Sequence, residues 1–227
     1  MIVIRIFGTP VRVKRTVLID IVALWAGLSW WGVHRHPGRP VPRGLLIGLA
    51  SLVLLLPADL GHAIAHIFSA RYAGAPMDEI LISEGMPRTL YRDNAVSPDV
   101  HRLRALGGPL FNVLGLVLSL CARRLSPSRS IARELADWSA LGHAFILVGS
   151  LAPLPIVDGG TLLKWTLVAR GRAESEAEEL VRRADWAMGI ATGLIGVGLI
   201  AMKRWVAGTI SLGSGLAVIG IAAGKIR

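Results

Sequence analysis

The chain has 227 residues, of which 53% are hydrophobic and only 18% charged, and its mean hydropathy is +0.57. That balance excludes an ordinary water-soluble domain and makes the bilayer the solvent in which the fold must be read. The net charge of +10 would suit nucleic acid, but the 25 lysines and arginines are scattered through short loops without interleaved aromatics. Topology signals and contact with anionic lipid account for them, and no nucleic-acid partner is expected.

In chain order, IVIRIF and VRV alternate around Gly8-Thr9-Pro10, which predicts a small β-hairpin at the membrane surface. With no basic segment leading into a short apolar core, no cleavable signal peptide is expected. Six apolar stretches follow, at 16–33, 44–68, 106–122, 138–157, 186–202 and 206–223, each near the ~20 residues that cross the hydrocarbon core. The expected fold is an all-α polytopic membrane protein of about six transmembrane helices with small surface β-strands. It is one membrane domain over 1–227, with a core at 1–163, a charged cytoplasmic helix at 164–185 and two C-terminal spans at 186–227. Sixteen of the 25 basic residues fall on the side of the N-terminus, which puts both termini in the cytoplasm. The expected location is the cytoplasmic membrane of a prokaryote.

The first span carries Asp20 as an anchoring residue near its start and Trp30 and Trp31 as an aromatic belt at its end. His34 and His36 belong to a solvated turn. The second span ends in PADLGHAIAH, where Asp59, His62 and His66 share one helix face at spacings of three and four. An acid and two imidazoles inside a bilayer need partners, a metal or a polar cavity, so this face is the candidate site. The segment ARYAGAPMDEILISEGMPRTLY that follows predicts one or two strands outside the bilayer.

Gly107-Gly108-Pro109 announces the third span, in which Asn112 calls for a hydrogen bond across helices, and Cys121 near its end reads as a small buried hydrophobe. The fourth span contains His143 and breaks at SLAPLPIVDGG. Irregular backbone at membrane depth must line a cavity or be buried in protein, so Asp158 is well placed to reach a site. The charged run ESEAEELVRR predicts a cytoplasmic amphipathic helix with solvated charges. Gly193, Gly196 and Gly198 in the fifth span are expected to serve helix packing, with the lining of a substrate path as the alternative.

ADLGH, GGPLFN and LAPLPIVDGG, in that order, resemble the site-2 protease family of intramembrane zinc metalloproteases over roughly residues 4–163. The family pattern at the first motif is HExxH, two metal-binding histidines with a glutamate general base. The resemblance implies zinc as cofactor, His62 and Asp158 as ligands, and Gly108, Pro109 and Asn112 as residues that hold a substrate strand. It also implies a membrane-spanning protein segment or a partner protease as binding partner, within the lipid bilayer.

The sequence departs from that pattern where it matters most. Ala58 stands in place of the first histidine, Asp59 in place of the general base, and Ser150 where an asparagine is usual. A catalytic zinc wants three protein ligands, and alanine offers none. His66, one turn beyond His62, is a substitute ligand in a set displaced by about 6 Å along the helix, with His143 as another substitute. Gly61 and Ala65 give the same helix a small-residue packing face. The leading expectation is a pseudoprotease that binds membrane-protein segments without cutting them. The alternatives are an active, divergent zinc protease with the displaced ligand set, and a metal or proton conduit using Asp59, His62, His66 and His143.

Overall fold

A computed structural model describes residues 1–34, 38–83 and 87–225, and these form four short strands and seven helices. The chain falls into two compact units, Met1–Val96 with Leu106–Val148, and Ser97–Ala105 with Gly149–Arg227.

In the first unit, β1 (Ile2–Ile6) and β2 (Thr9–Val13) form the expected hairpin. The turn is Phe7-Gly8, both with positive φ (47° and 77°), the twist that a two-residue connection between antiparallel strands demands. β3 (Glu79–Ile82) adds parallel to β2, and β4 (Arg88–Leu90) antiparallel to β3, giving the order β1-β2-β3-β4. The expected strands after the second span are therefore present, although the Gly and Met between them, at 85 and 86, lie outside the described residues, as does His36 of the expected solvated turn.

Helix α1 (Val17–His34) pairs with α2 (Val41–Tyr72). At 32 residues, α2 is about 48 Å long, more than the hydrocarbon core requires, so it carries the candidate site beyond the apolar run. Pro57 lies inside it and costs one backbone hydrogen bond. The two helices approach closely because Gly48 faces Ser29 and Gly44 faces Val33, with no room for a side chain at either glycine. The sheet packs on the far half of α2: Val11, Met77 and Ile80 bury themselves against Ala63, Ile67 and Ala70. That stripe at i, i+4 and i+7 fixes the rotation of α2, which turns His62 and His66, on the neighbouring stripe, away from the sheet.

Helices α3 (Pro98–Leu125), from Leu106 on, and α4 (Ile131–Ser150), as far as Val148, complete this unit. Ser119 and Ser139 hydrogen-bond across them at 2.8 Å, and Arg123 pairs with Asp137 at 2.5 Å. Gly107-Gly108-Pro109 proves to be interior to α3 and not its start: the glycines are needed for close approach to α2, and the helix is nucleated a good two turns earlier. Cys121 is exposed, contrary to the buried reading, on a helix whose Leu114, Val117, Leu118 and Leu120 are also exposed, as lipid contact requires.

Arg39 ties the α1–α2 connection to α4. Its guanidinium forks onto Glu134 at 3.0 and 2.8 Å and also donates to the Gly32 carbonyl at 2.7 Å, with both charged side chains 11% exposed. Arg39→Ala strands the Glu134 carboxylate and is expected to cost about 3 kcal/mol. A denaturation midpoint in detergent checks this, and Arg39→Ala/Glu134→Gln should recover most of the loss.

In the second unit, residues 151–157 are irregular, as the two prolines predict, and Asp158 opens α5 (Asp158–Ala169). Side chains at Gly159 or Gly160 would strike the carbonyls of Leu151, Ala152 and Leu154, which explains the two glycines after Asp158. The charged run 174–183 is no separate helix. It is continuous with the fifth span in α6 (Glu174–Ala201), because nothing between Arg183 and Trp186 breaks the helix. Lys164 bonds Glu174 at 2.6 Å and Glu178 at 2.7 Å. Its burial disfavours the ammonium, but the two carboxylates outweigh that and hold its pKa above the ordinary lysine value. His101 stacks flat on Trp165, with centroids 3.8 Å apart.

α6 packs on α7 (Trp205–Ala222) through Gly196 facing Leu212 and Gly208, and Gly215 facing Gly189 and Gly193. The packing role expected is thus observed at Gly196, whereas a side chain at Gly193 or Gly198 would meet open space. Asp185 is fully buried on this helix pair, and neither carboxylate oxygen has a hydrogen-bond partner among the described residues.

Among the described residues five helices, α1, α2, α3, α6 and α7, are long and apolar enough to cross a membrane. The expected fourth span falls on α4, whose opening turns carry Arg133, Glu134 and Asp137.

Candidate metal centre

The site is assembled in the first unit from three helices. α2 contributes His62 (8% exposed) and His66 (3%). Their Nε2 atoms converge at 3.2 Å, with the rings nearly perpendicular at 77°. α3 contributes Asn112, which is fully buried, and α4 contributes His143, 7% exposed. The Asn112 amide N–H donates to His62 Nδ1 at 2.8 Å, and His143 Nδ1–H donates to Asn112 Oδ1 at 2.8 Å. The four side chains therefore form one hydrogen-bonded line, His66 to His62 to Asn112 to His143.

Two glycines create the room for the imidazoles. A side chain at Gly108 would overlap the facing atoms of both His62 and His66, and one at Gly115 would overlap the His143 ring. Gly61 accommodates the Phe111 ring, and Gly107 lies against the Ala65 carbonyl, so the Gly61–Ala65 face is used for packing as expected. Ring contact between Phe111 and His143, with centroids 5.8 Å apart, closes the apolar side.

The remaining sequence candidates are distributed as follows. Asp59 is half-buried on α2, one turn before His62. Ala58, at the family's first-ligand position, is fully buried. Pro109 lies inside α3 beside Gly108. Asp158 is the first residue of α5, in the second unit. Asn112, implied by the resemblance to hold a substrate strand, has both ends of its amide engaged by histidines. The Asn112–His143 bond is the feature least visible beforehand: the sequence marks Asn112 as needing a partner across helices but gives no indication of which.

The geometry fits a metal. Two imidazole nitrogens bound tetrahedrally to zinc at 2.0–2.1 Å lie about 3.3 Å apart, close to the 3.2 Å between the two Nε2 atoms. Both donors are of the type zinc prefers, and the pair faces Gly108, where a side chain would overlap it.

No protein-family model matches the chain. Over 219 residues it is 27% identical to "Putative zinc metalloprotease Rip3" of Mycobacterium tuberculosis, in strains Erdman and H37Rv alike, an alignment covering 88% of this chain and 55% of that protein. The chain thus spans about half the length of the curated relatives it matches. The site-2 protease from Methanocaldococcus jannaschii has the same fold: TM-score 0.61 at 16% identity, covering 100% of this chain and 95% of that one. This is a divergent, site-2-protease-like membrane protein. What sets it apart within that likeness is the pair of histidines at 62 and 66, with alanine at 58 where the family pattern has its first ligand.

Proposed function

We propose that this site-2-protease-like protein is a metal-holding pseudoprotease. It binds the membrane-spanning segment of a partner protein, or a partner protease, and does not hydrolyse it. Zinc is the metal proposed, with His62, His66 and Asp158 as its protein ligands, and both termini are proposed to face the cytoplasm of a prokaryotic cell.

The observation that carries the reading is the pairing of converged histidines with missing bases. His62 and His66 present their Nε2 atoms 3.2 Å apart, while the residue after each possible leading ligand is unsuited to general-base work. In HExxH the base follows the first histidine directly. Counted from His62, that position is Ala63, 3% exposed and packed in the apolar cluster under the sheet. Counted from the family position, it is Asp59, one methylene short of glutamate and preceded by Ala58. Bound zinc would act as a Lewis acid and lower the pKa of bound water. His62 and His66 would hold and orient the ion through their converged Nε2 atoms.

One observation favours a second reading, an active divergent protease: Asp59 lies on the same face of α2 as His62 and His66, one turn away from His62, where it could serve as a displaced base. The deciding experiment is metal analysis joined to a cleavage assay. The full chain, purified in detergent with zinc present, should hold about one zinc, lost in His62→Ala and in Asp158→Ala. It should leave a single-span reporter intact in liposomes. Cleavage that disappears in both His62→Ala and Asp59→Asn would establish the active reading instead. Absence of zinc in the unaltered chain would remove both and leave the four-residue line as a proton conduit or a packing device.

A further inference from the structure

We propose that Asn112 and His143 are positioning residues that set the tautomer of His62, and that metal capture at His62 reverses the polarity of the whole line out to His143. This inference rests on the metal-holding reading above.

The polarity follows from what each atom can do. Asn112 donates its amide N–H to His62 Nδ1, so that nitrogen is an acceptor and the neutral ring carries its proton on Nε2, facing His66. At the other end, Asn112 Oδ1 can only accept, so His143 Nδ1 carries a proton. In this arrangement His62 has no lone pair on Nε2 to give to a metal. Ligation through Nε2 requires the His62 proton on Nδ1. That proton then needs an acceptor, and the one in place is Asn112, with its amide turned so that Oδ1 faces His62. The amide N–H then faces His143 Nδ1, which must have lost its proton to Nε2. Amide oxygen and nitrogen occupy the same space, so the turn needs no movement of the three helices.

Every link in the line changes sense and no net proton is gained or lost: each imidazole gives up a proton at one nitrogen and takes one at the other from water admitted while its hydrogen bond to Asn112 is broken. The line is also enclosed: Asn112 is fully buried, His62 and His143 are nearly so, and Gly108 and Gly115 press α3 against the two rings. In such a setting a mismatched donor or acceptor has no water to turn to, which is what couples the two ends. A partner that fixes ligand tautomer typically contributes 10–100-fold to metal affinity. In this proposal His143 is a positioning residue and not the substitute ligand that the sequence allows. It acts on the metal through Asn112.

The test is nitrogen-15 NMR of histidine-labelled full chain in lipid, with the six histidines assigned by single substitution, recorded without zinc and at zinc saturation. Expected is a zinc-bound signal from His62 Nε2 together with a switch of His143 Nδ1 from protonated to unprotonated, although His143 binds no metal. Asn112→Leu should weaken zinc binding on the order of 10–100-fold. Asn112→Asp should restore affinity, because a carboxylate accepts from His62 Nδ1–H, and it should abolish the His143 switch, because it accepts from His143 as well. A zinc response at His62 with His143 unchanged overturns this inference and leaves the metal-holding reading standing. No zinc response at His62 or His66 overturns both.

Discussion

Replacing His66 by alanine is expected to empty the centre, taking zinc from about one per chain to about none, whereas a site-2 protease with the usual motif has nothing at that position to lose. In the family pattern the ligands stand at 58 and 62. Here the imidazole that faces His62 Nε2 comes from the following turn, at 3.2 Å, and position 58 is an alanine with no exposed surface. The companion variant, His66→Ala/Ala58→His, separates the two frames. If the centre has moved along α2, a histidine at 58 has neither the room nor the facing glycine that Gly108 provides at His62 and His66. It should leave the protein without zinc and cost a further 1–3 kcal/mol through overpacking. Recovery of zinc in the double variant would put the centre back at the family position. Metal content by mass spectrometry, alongside the thermal midpoint of the same samples, reads both quantities.

The parts of this fold that follow local rules were legible beforehand. Alternation gave the hairpin at 2–13 and the strands near 79–90, and apolar run length gave the helices, because period and hydropathy are properties of a few neighbouring residues. The His62–His66 face followed from helix periodicity in the same way. What could not be read was set by contacts between distant segments. Gly107-Gly108-Pro109 resembles a helix start in sequence, and only the approach of α2 explains glycines in the middle of α3. The charged run 174–183 and the apolar run after it belong to a single helix, since a change in polarity does not break backbone hydrogen bonds. Asn112 was identifiable as a buried polar residue in need of a partner, but the choice of His62 and His143 depends on how three helices cross. Asp185 likewise gave no local signal, since its complete burial inside the charged end of α6 is not a property of its neighbours in sequence.

Across the first unit the same economy recurs, in which glycine on one helix makes room for a functional group on another. Gly108→Ala is the smallest change that tests it and should have the second of the two largest effects. The added methyl would overlap His62 Cε1 and Nε2 and His66 Nε2 together, so the two rings can no longer converge unless α2 and α3 separate. Separation is opposed by Gly107 against the Ala65 carbonyl and by Phe111 in the notch at Gly61. The rings should yield first, with zinc lost as completely as in His66→Ala and a stability cost of about 1–3 kcal/mol. Gly107→Ala is the control, because the atoms its methyl meets first are the Ala65 carbonyl and the Ser69 hydroxyl and not an imidazole. It should cost at least as much stability, since backbone gives way less readily than a side chain, and yet retain zinc. If Gly107→Ala loses the metal as well, the centre depends on helix spacing as a whole. If Gly108→Ala keeps it, the converged pair is not where the metal is held.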